Sequence, residues 1–229
     1  MAAQAGERLT ARLVLFDLDD TLCDHYQSHR LRLRRAFGSA LAEYPAVDLE
    51  ALVEAAALQV GGTAHFAEVL RGAGVADPGC CQRAIDLYRA DRFLGLELYG
   101  EALDVVRAVA RHARVGMITN GPSAIQREKI CLLGIGDLFP FILVSEEEDS
   151  WKPDSAIFAR ALELGGVGPE EAVYVGDSPE HDVAGAQAAG LQSVWVNRRG
   201  RAWPGGPPPD FEIGDLRELL PLLGVRESG

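Results

Sequence analysis

The sequence predicts an α/β fold: a parallel β-sheet flanked by helices, with a helical subdomain inserted after the first strand. Three observations carry this. Short apolar runs recur along the chain and read as strands buried on both faces. The later runs alternate with helical stretches, and strand, helix, strand in series implies parallel pairing through right-handed crossovers. About a hundred residues separate the first run from the second, and that gap is alanine-rich and helical in pattern, far longer than one crossover needs.

Taken in order, the first strand is expected at residues 13–16. The gap holds candidate helices at 28–44, 49–60, 65–71 and 79–93, which assign residues 24–96 to an inserted cap. A helix at 100–112 returns the chain to the sheet, so the core comprises residues 1–23 and 97–229. Its further strands are expected at 115–118, 141–144, 173–175 and 194–196, with helices at 122–133, 153–164 and 179–189. Each of these helices opens on a proline (Pro122, Pro153, Pro179), which suits a first turn. Each closes on a glycine (Gly134, Gly165, Gly190) suited to a left-handed cap. Residues 203–210 are rich in Pro and Gly and form a loop; 211–223 read as a short strand and a final helix.

Composition narrows the function. The 229 residues are 48% hydrophobic, enough for a buried core. A formal charge of -12 argues against a nucleic-acid partner, because phosphate-backbone contacts need basic patches. It leaves room for a small anion in a local positive pocket. No apolar run is long enough to span a bilayer, and the N-terminus lacks the basic start and apolar stretch of a signal peptide, so a cytoplasmic protein without membrane partners is expected. Cys23, Cys80, Cys81 and Cys131 lack zinc-site spacing and are expected reduced and mostly packed. Lys129 and Lys152 are the only lysines among 22 Lys and Arg, which makes the setting of each informative.

Chemistry concentrates where strands end, the edge at which open parallel sheets bind ligands. The first strand runs into Asp17-Leu18-Asp19-Asp20-Thr21. An aspartate at Asp17 can attack phosphorus and form an acyl phosphate, splitting one hard displacement into two easier ones. Asp19 is placed to protonate a leaving oxygen and later deprotonate water. The second strand ends in Thr119-Asn120-Gly121-Pro122, where a hydroxyl, an amide and a helix start suit phosphate oxygens. Lys152, just before Pro153, would neutralise phosphate charge and hold Asp17 ionised. The fourth strand ends in Gly176-Asp177-Ser178, and Asp17 and Asp177 would share a magnesium ion if their strands are neighbours. Asp182, a helical turn further on, would bind a water on that metal.

These residues resemble the four motifs of the haloacid dehalogenase-like hydrolases: Asp17-Leu18-Asp19-Asp20-Thr21, Thr119-Asn120, Lys152-Pro153, and Gly176-Asp177-Ser178 with Asp182. The resemblance covers essentially the whole chain. It implies a Rossmann-like core with an inserted α-helical cap, adjacent nucleophile and metal-ligand strands, and Mg2+ bound by the side chains of Asp17 and Asp177 and the main-chain carbonyl of Asp19. Core segments are further similar to N-acylneuraminate-9-phosphatases, around Gln126-Arg127-Glu128-Lys129 and Arg198-Arg199-Gly200-Arg201, and to pyrimidine 5'-nucleotidases, around Val144-Ser145-Glu146-Glu147.

The expectation is a magnesium-dependent phosphatase of a small phosphorylated metabolite, with a cap that closes to exclude water. Asp19 favours a leaving group that needs a proton, as a phosphate ester does and a halide does not. A phosphomutase of the β-phosphoglucomutase kind shares the motifs; a 2-haloacid dehalogenase and a non-catalytic binding protein are the remaining alternatives. In the segment leading into the cap, His25, Tyr26, His29 and Arg30 are within reach of a substrate but are expected as ordinary cap residues. Arg127 and Lys129 are expected on an exposed helix face.

Overall fold

The computed structural model describes residues 9, 11–59 and 62–225. The expected helix end at Val60 and the two chain ends lie outside the described residues. The chain divides into two compact units, one joining the chain up to Cys23 to the chain from Leu98 onward, the other running from Asp24 to Glu97.

The first unit is an α/β Rossmann-like layer structure. Its strands are β1 (Leu13–Phe16), β2 (Arg114–Thr119), β3 (Ile142–Val144), β4 (Ala172–Gly176), β5 (Gln192–Val196) and β6 (Phe211–Ile213), joined in the order β3-β2-β1-β4-β5-β6. Every pairing is parallel. β1 and β4 are buried at every position, which is why they read as unbroken apolar runs rather than alternating ones. Phe16, Tyr174, Trp195 and Phe158 are among the fully buried side chains, each contributing roughly 1.5–3 kcal/mol by leaving water.

In numbering order the helices of this unit are α5 (Ala102–Ala110), α6 (Ser123–Leu133), α7 (Ser155–Gly165), α8 (Ala184–Ala188) and α9 (Leu219–Leu222). Gly134 caps α6 in the left-handed conformation, at φ 65°. For α7 the cap is Gly166, not the expected Gly165. Gly165 is the last helical residue and faces Leu13 of β1, where a Cβ would collide with the leucine side chain. Pro153 also stands outside α7, whose first turn is capped by Asp154 accepting from Ala156 N at 2.9 Å. The stretch expected as one helix from 179 to 189 is a π-helical turn, Pro179–Val183, followed by the short α8.

The second unit is helical: α1 (His25–Ala40), α2 (Leu49–Ala57), α3 (Phe66–Gly72) and α4 (Pro78–Ala90). Asp48 and Asp77 cap α2 and α4 by accepting from main-chain N–H groups of the first turn. α1 packs against α2 and α4, burying Leu33, Phe37, Val53, Phe66 and Tyr88 in a core of their own.

The sheet order positions the site. β1 has β2 on one side and β4 on the other, with Phe16 opposite both Met117 and Val175. The chain therefore leaves β1 toward β2 and comes back to the far side of β1 at β4. That reversal is the switch point at which open sheets form a crevice beyond their strand ends. Asp17 follows β1 directly, its N–H donating to Val175 O at 2.9 Å. Thr119 ends β2 and Asp177 follows β4, so all three stand at one edge.

Candidate active site

Lys152 is buried at the centre of this edge, and each of its three ammonium protons has a taker. Its Nζ donates to Asp17 Oδ1 at 2.6 Å, to Asp182 Oδ1 at 2.7 Å and to the Tyr174 hydroxyl at 2.8 Å. Tyr174 passes its own proton to Ile118 O at 3.1 Å. Burial opposes the Lys152 ammonium, but Asp17 and Asp182 outweigh it and hold its pKa above the ordinary lysine value. The other oxygen of Asp182 accepts from Ser178 N at 2.9 Å, made possible by the π-helical turn. Gly176 is part of the same arrangement, since a Cβ there would run into the Asp182 carboxyl.

Asp17, Asp177 and Asp182 each present a carboxylate oxygen within 4.8 Å of the others. Burial drives the pKa of Asp17 well up; Lys152 opposes the rise, and Asp182 and Asp177 add to it. Asp177 is pushed up to about 7 by burial, then by Asp182 and Asp20, against Arg201 and Arg199. The Lys152 ammonium thus does not offset the burial of Asp17 and Asp177. A divalent cation would add positive charge beside them, and a set of hard carboxylate oxygens is the donor chemistry that magnesium takes. The residues present therefore fit the expected ion. Arg201 Nη2 braces Asp177 from behind, donating to its main-chain O at 2.7 Å and lying 3.2 Å from Oδ2.

The Thr119 hydroxyl is buried and accepts from Gln126 Nε2, leaving its own proton to donate elsewhere. The Asn120 side chain is turned to the Lys152 main chain. Its amide nitrogen donates to Lys152 O at 2.9 Å and its oxygen accepts from Lys152 N at 2.9 Å. Asn120 thereby fixes the segment that carries the lysine. Asn120→Ala is expected to cost about 1–3 kcal/mol of stability in urea unfolding, because both main-chain groups lose their partner. An unchanged midpoint would show that the pairing contributes nothing.

Asp19 is not part of the three-carboxylate group. Its carboxylate is taken up by Lys129, whose Nζ lies 2.8 Å from Oδ1 and 2.7 Å from Oδ2. Gln126 Nε2 adds a bond to Oδ2 at 3.2 Å. This corrects the expectation of an exposed Lys129: it is 5% exposed. The signal for it is helical spacing, since Gln126, Lys129 and the buried Ile130 share one face of α6. Arg127 does lie on the outer face, paired with Glu147 at 2.5 Å. The Tyr174 hydroxyl has no signal in the sequence, because nothing in an apolar strand run marks one hydroxyl as special. Within the second unit, His29 Nδ1 lies 2.7 Å from the Tyr88 hydroxyl and Arg30 pairs with Glu54 at 2.5 Å.

The sequence model of a haloacid dehalogenase-like hydrolase matches residues 11–190. A phosphoserine phosphatase of Thermus thermophilus is 39% identical over 68% of this chain, a match spanning 62% of that enzyme. A glyceraldehyde 3-phosphate phosphatase of Methanopyrus kandleri is 33% identical over 93% of this chain and 97% of its own. Both kinds of enzyme that the core segments resemble are also among the relatives. A pyrimidine 5'-nucleotidase of Escherichia coli is 37% identical over 53% of this chain and 55% of its own. A mouse N-acylneuraminate-9-phosphatase is 27% identical over 93% of both chains. Among solved structures, a 2-haloacid dehalogenase of Pseudomonas syringae pv. Tomato superposes with a TM-score of 0.62 at 30% identity, covering 93% of this chain and 98% of that one. Among the described residues no helix is long and apolar enough to cross a membrane.

Proposed function

The chain belongs to the haloacid dehalogenase-like hydrolase family and is an enzyme of its phosphatase kind, and from that premise we propose that it hydrolyses a small phosphate monoester with magnesium, carrying the phosphoryl group on Asp17. The observation that supports this most is the Lys152 ammonium between Asp17 and Asp182, with Asp177 near enough to share an ion with Asp17.

Asp17 and Asp177 would hold magnesium by their carboxylates, and Asp19 by its main-chain carbonyl. When bound, the ion supplies positive charge that keeps Asp17 ionised and draws charge from the phosphoryl oxygens. Lys152 steadies Oδ1 of Asp17, and the other carboxylate oxygen attacks phosphorus in line. The ester P–O bond breaks as Asp19 hands its proton to the departing oxygen. Water then attacks the phosphorus of the acyl phosphate, Asp19 takes a proton back, and Asp17 leaves as carboxylate. Thr119 lines the place of the phosphoryl oxygens, Asn120 holds the segment that carries Lys152, and Lys152 offsets the charge of those oxygens.

Asp19 weighs against halide as the leaving group, despite the likeness to a dehalogenase. The relatives' names point to small phosphorylated metabolites as substrates. The test is phosphate release from phosphoserine, glyceraldehyde 3-phosphate, nucleoside monophosphates and N-acylneuraminate 9-phosphate, each with magnesium and with a chelator. Release from at least one of them, lost on chelation, is the expected result. Isomerisation of a sugar phosphate without free phosphate would favour the mutase reading. No release from any of them, or release indifferent to chelation, would overturn the proposal.

A further inference from the structure

We propose that Lys129 is a positioning residue for Asp19: it grips the carboxyl group from α6 and aims it at the oxygen that leaves the phosphate. The inference rests on the acid–base reading of Asp19 and adds a residue to it.

The geometry is specific. Lys129 is one of two lysines in the chain, and α6 carries it buried beneath the site rather than out to solvent. Its ammonium reaches both oxygens of Asp19, at 2.8 and 2.7 Å. Burying a lysine side chain costs free energy unless it is paired, and the pairing here ends on one carboxylate, at 2.7 Å. Gln126, one helical turn earlier, donates to the same Asp19 and also to the Thr119 hydroxyl. One face of α6 thus links the acid–base group to the side chain that lines the phosphoryl group.

An aspartate on the loop after a strand has two freely turning side-chain bonds, and proton transfer needs hydrogen-bond reach to the leaving oxygen. With Lys129 across both carboxyl oxygens and Gln126 on one of them, the turn of the carboxyl group is fixed. The hold is compatible with both half-reactions. A protonated Asp19 keeps a carbonyl oxygen for Lys129 while its hydroxyl donates. An ionised Asp19 keeps one oxygen on Lys129 while the other accepts a proton from water.

A positioning role for a proton donor has a signature that a merely structural role lacks. A poor leaving group such as an alkoxide needs the proton; dinitrophenolate leaves without it. Lys129→Met, nearly the same length and without charge, is assayed on the alkyl phosphate identified by the phosphate-release panel and on 2,4-dinitrophenyl phosphate. The expected result is that kcat/KM falls about tenfold or more for the alkyl ester and stays within about threefold for the aryl ester. Retained aryl turnover also reports an intact fold, and Lys129→Gln is run alongside as a second uncharged replacement. Equal losses on both esters in both variants, or no loss on either, would overturn the proposal. Asp19→Asn is the companion variant. If it shows the leaving-group selectivity and Lys129→Met does not, the positioning role alone fails. If Asp19→Asn shows no selectivity, the acid–base reading itself fails, and the role of Lys129 with it.

Discussion

Asp17→Asn is expected to abolish phosphate release, with a fall in kcat on the order of 10⁴-fold or more, while the protein stays folded. The amide keeps the shape of the side chain and an oxygen for Lys152, but it has no carboxylate to attack phosphorus. Stability should not suffer, and the sign follows from the environment. Burial raises the pKa of Asp17 in the folded state above its unfolded value, so above the unfolded pKa the group costs stability rather than adding it. Removing the charge at neutral pH relieves that cost. Lys152 gives up one of its two carboxylates in exchange but keeps Asp182, so the thermal midpoint of the metal-free variant is expected to stay near that of the parent. Steady-state phosphate release and a circular-dichroism melt check both halves. Substantial turnover in the variant would remove Asp17 as nucleophile.

Lys152→Met carries the second large effect, and on stability as well as on rate. The ammonium is buried and donates to Asp17, Asp182 and Tyr174. Taking away one partner of a buried ion pair leaves the others uncompensated, at a cost of about 3–5 kcal/mol. Two carboxylates and a hydroxyl are left here, so the loss should lie toward the upper end. Catalysis falls too, because nothing else in the described cluster brings a positive side chain to Asp17. Urea unfolding of the metal-free protein measures the first effect and phosphate release the second. A variant as stable as the parent would mean that the three-way hydrogen bonding has little energetic weight.

Much of this architecture is legible in the residues. Strands buried on both faces leave continuous apolar runs, so β1, β4 and β5 stand out from their surroundings. The strand-end acids are legible for the same reason: an apolar run that stops at Asp17 or Asp177 marks the sheet edge where ligands bind. What stays hidden is whatever depends on how side chains turn. The shift of the α7 cap from Gly165 to Gly166 follows from the packing of Leu13, a residue more than a hundred positions away in sequence. Tyr174 meets Lys152 only because two strands and a loop come together. Asn120 has the residue type of a phosphate ligand, but its side chain turns to the main chain of Lys152, a choice local sequence does not encode. Lys129 is the instructive case. Position in a charged stretch suggests solvent, whereas the three- and four-residue spacing with Gln126 and Ile130 puts it inward.

The measurement that bears most directly on the account is chemical trapping of the phosphorylated protein. The full chain, turning over substrate with magnesium, is quenched in acid and reduced with borohydride, which converts an aspartyl phosphate to homoserine. Peptide sequencing by mass spectrometry then reads the position. The account predicts homoserine at position 17, absent without substrate and absent in Asp17→Asn. Homoserine at another aspartate, or none during a demonstrated burst of product, would contradict it.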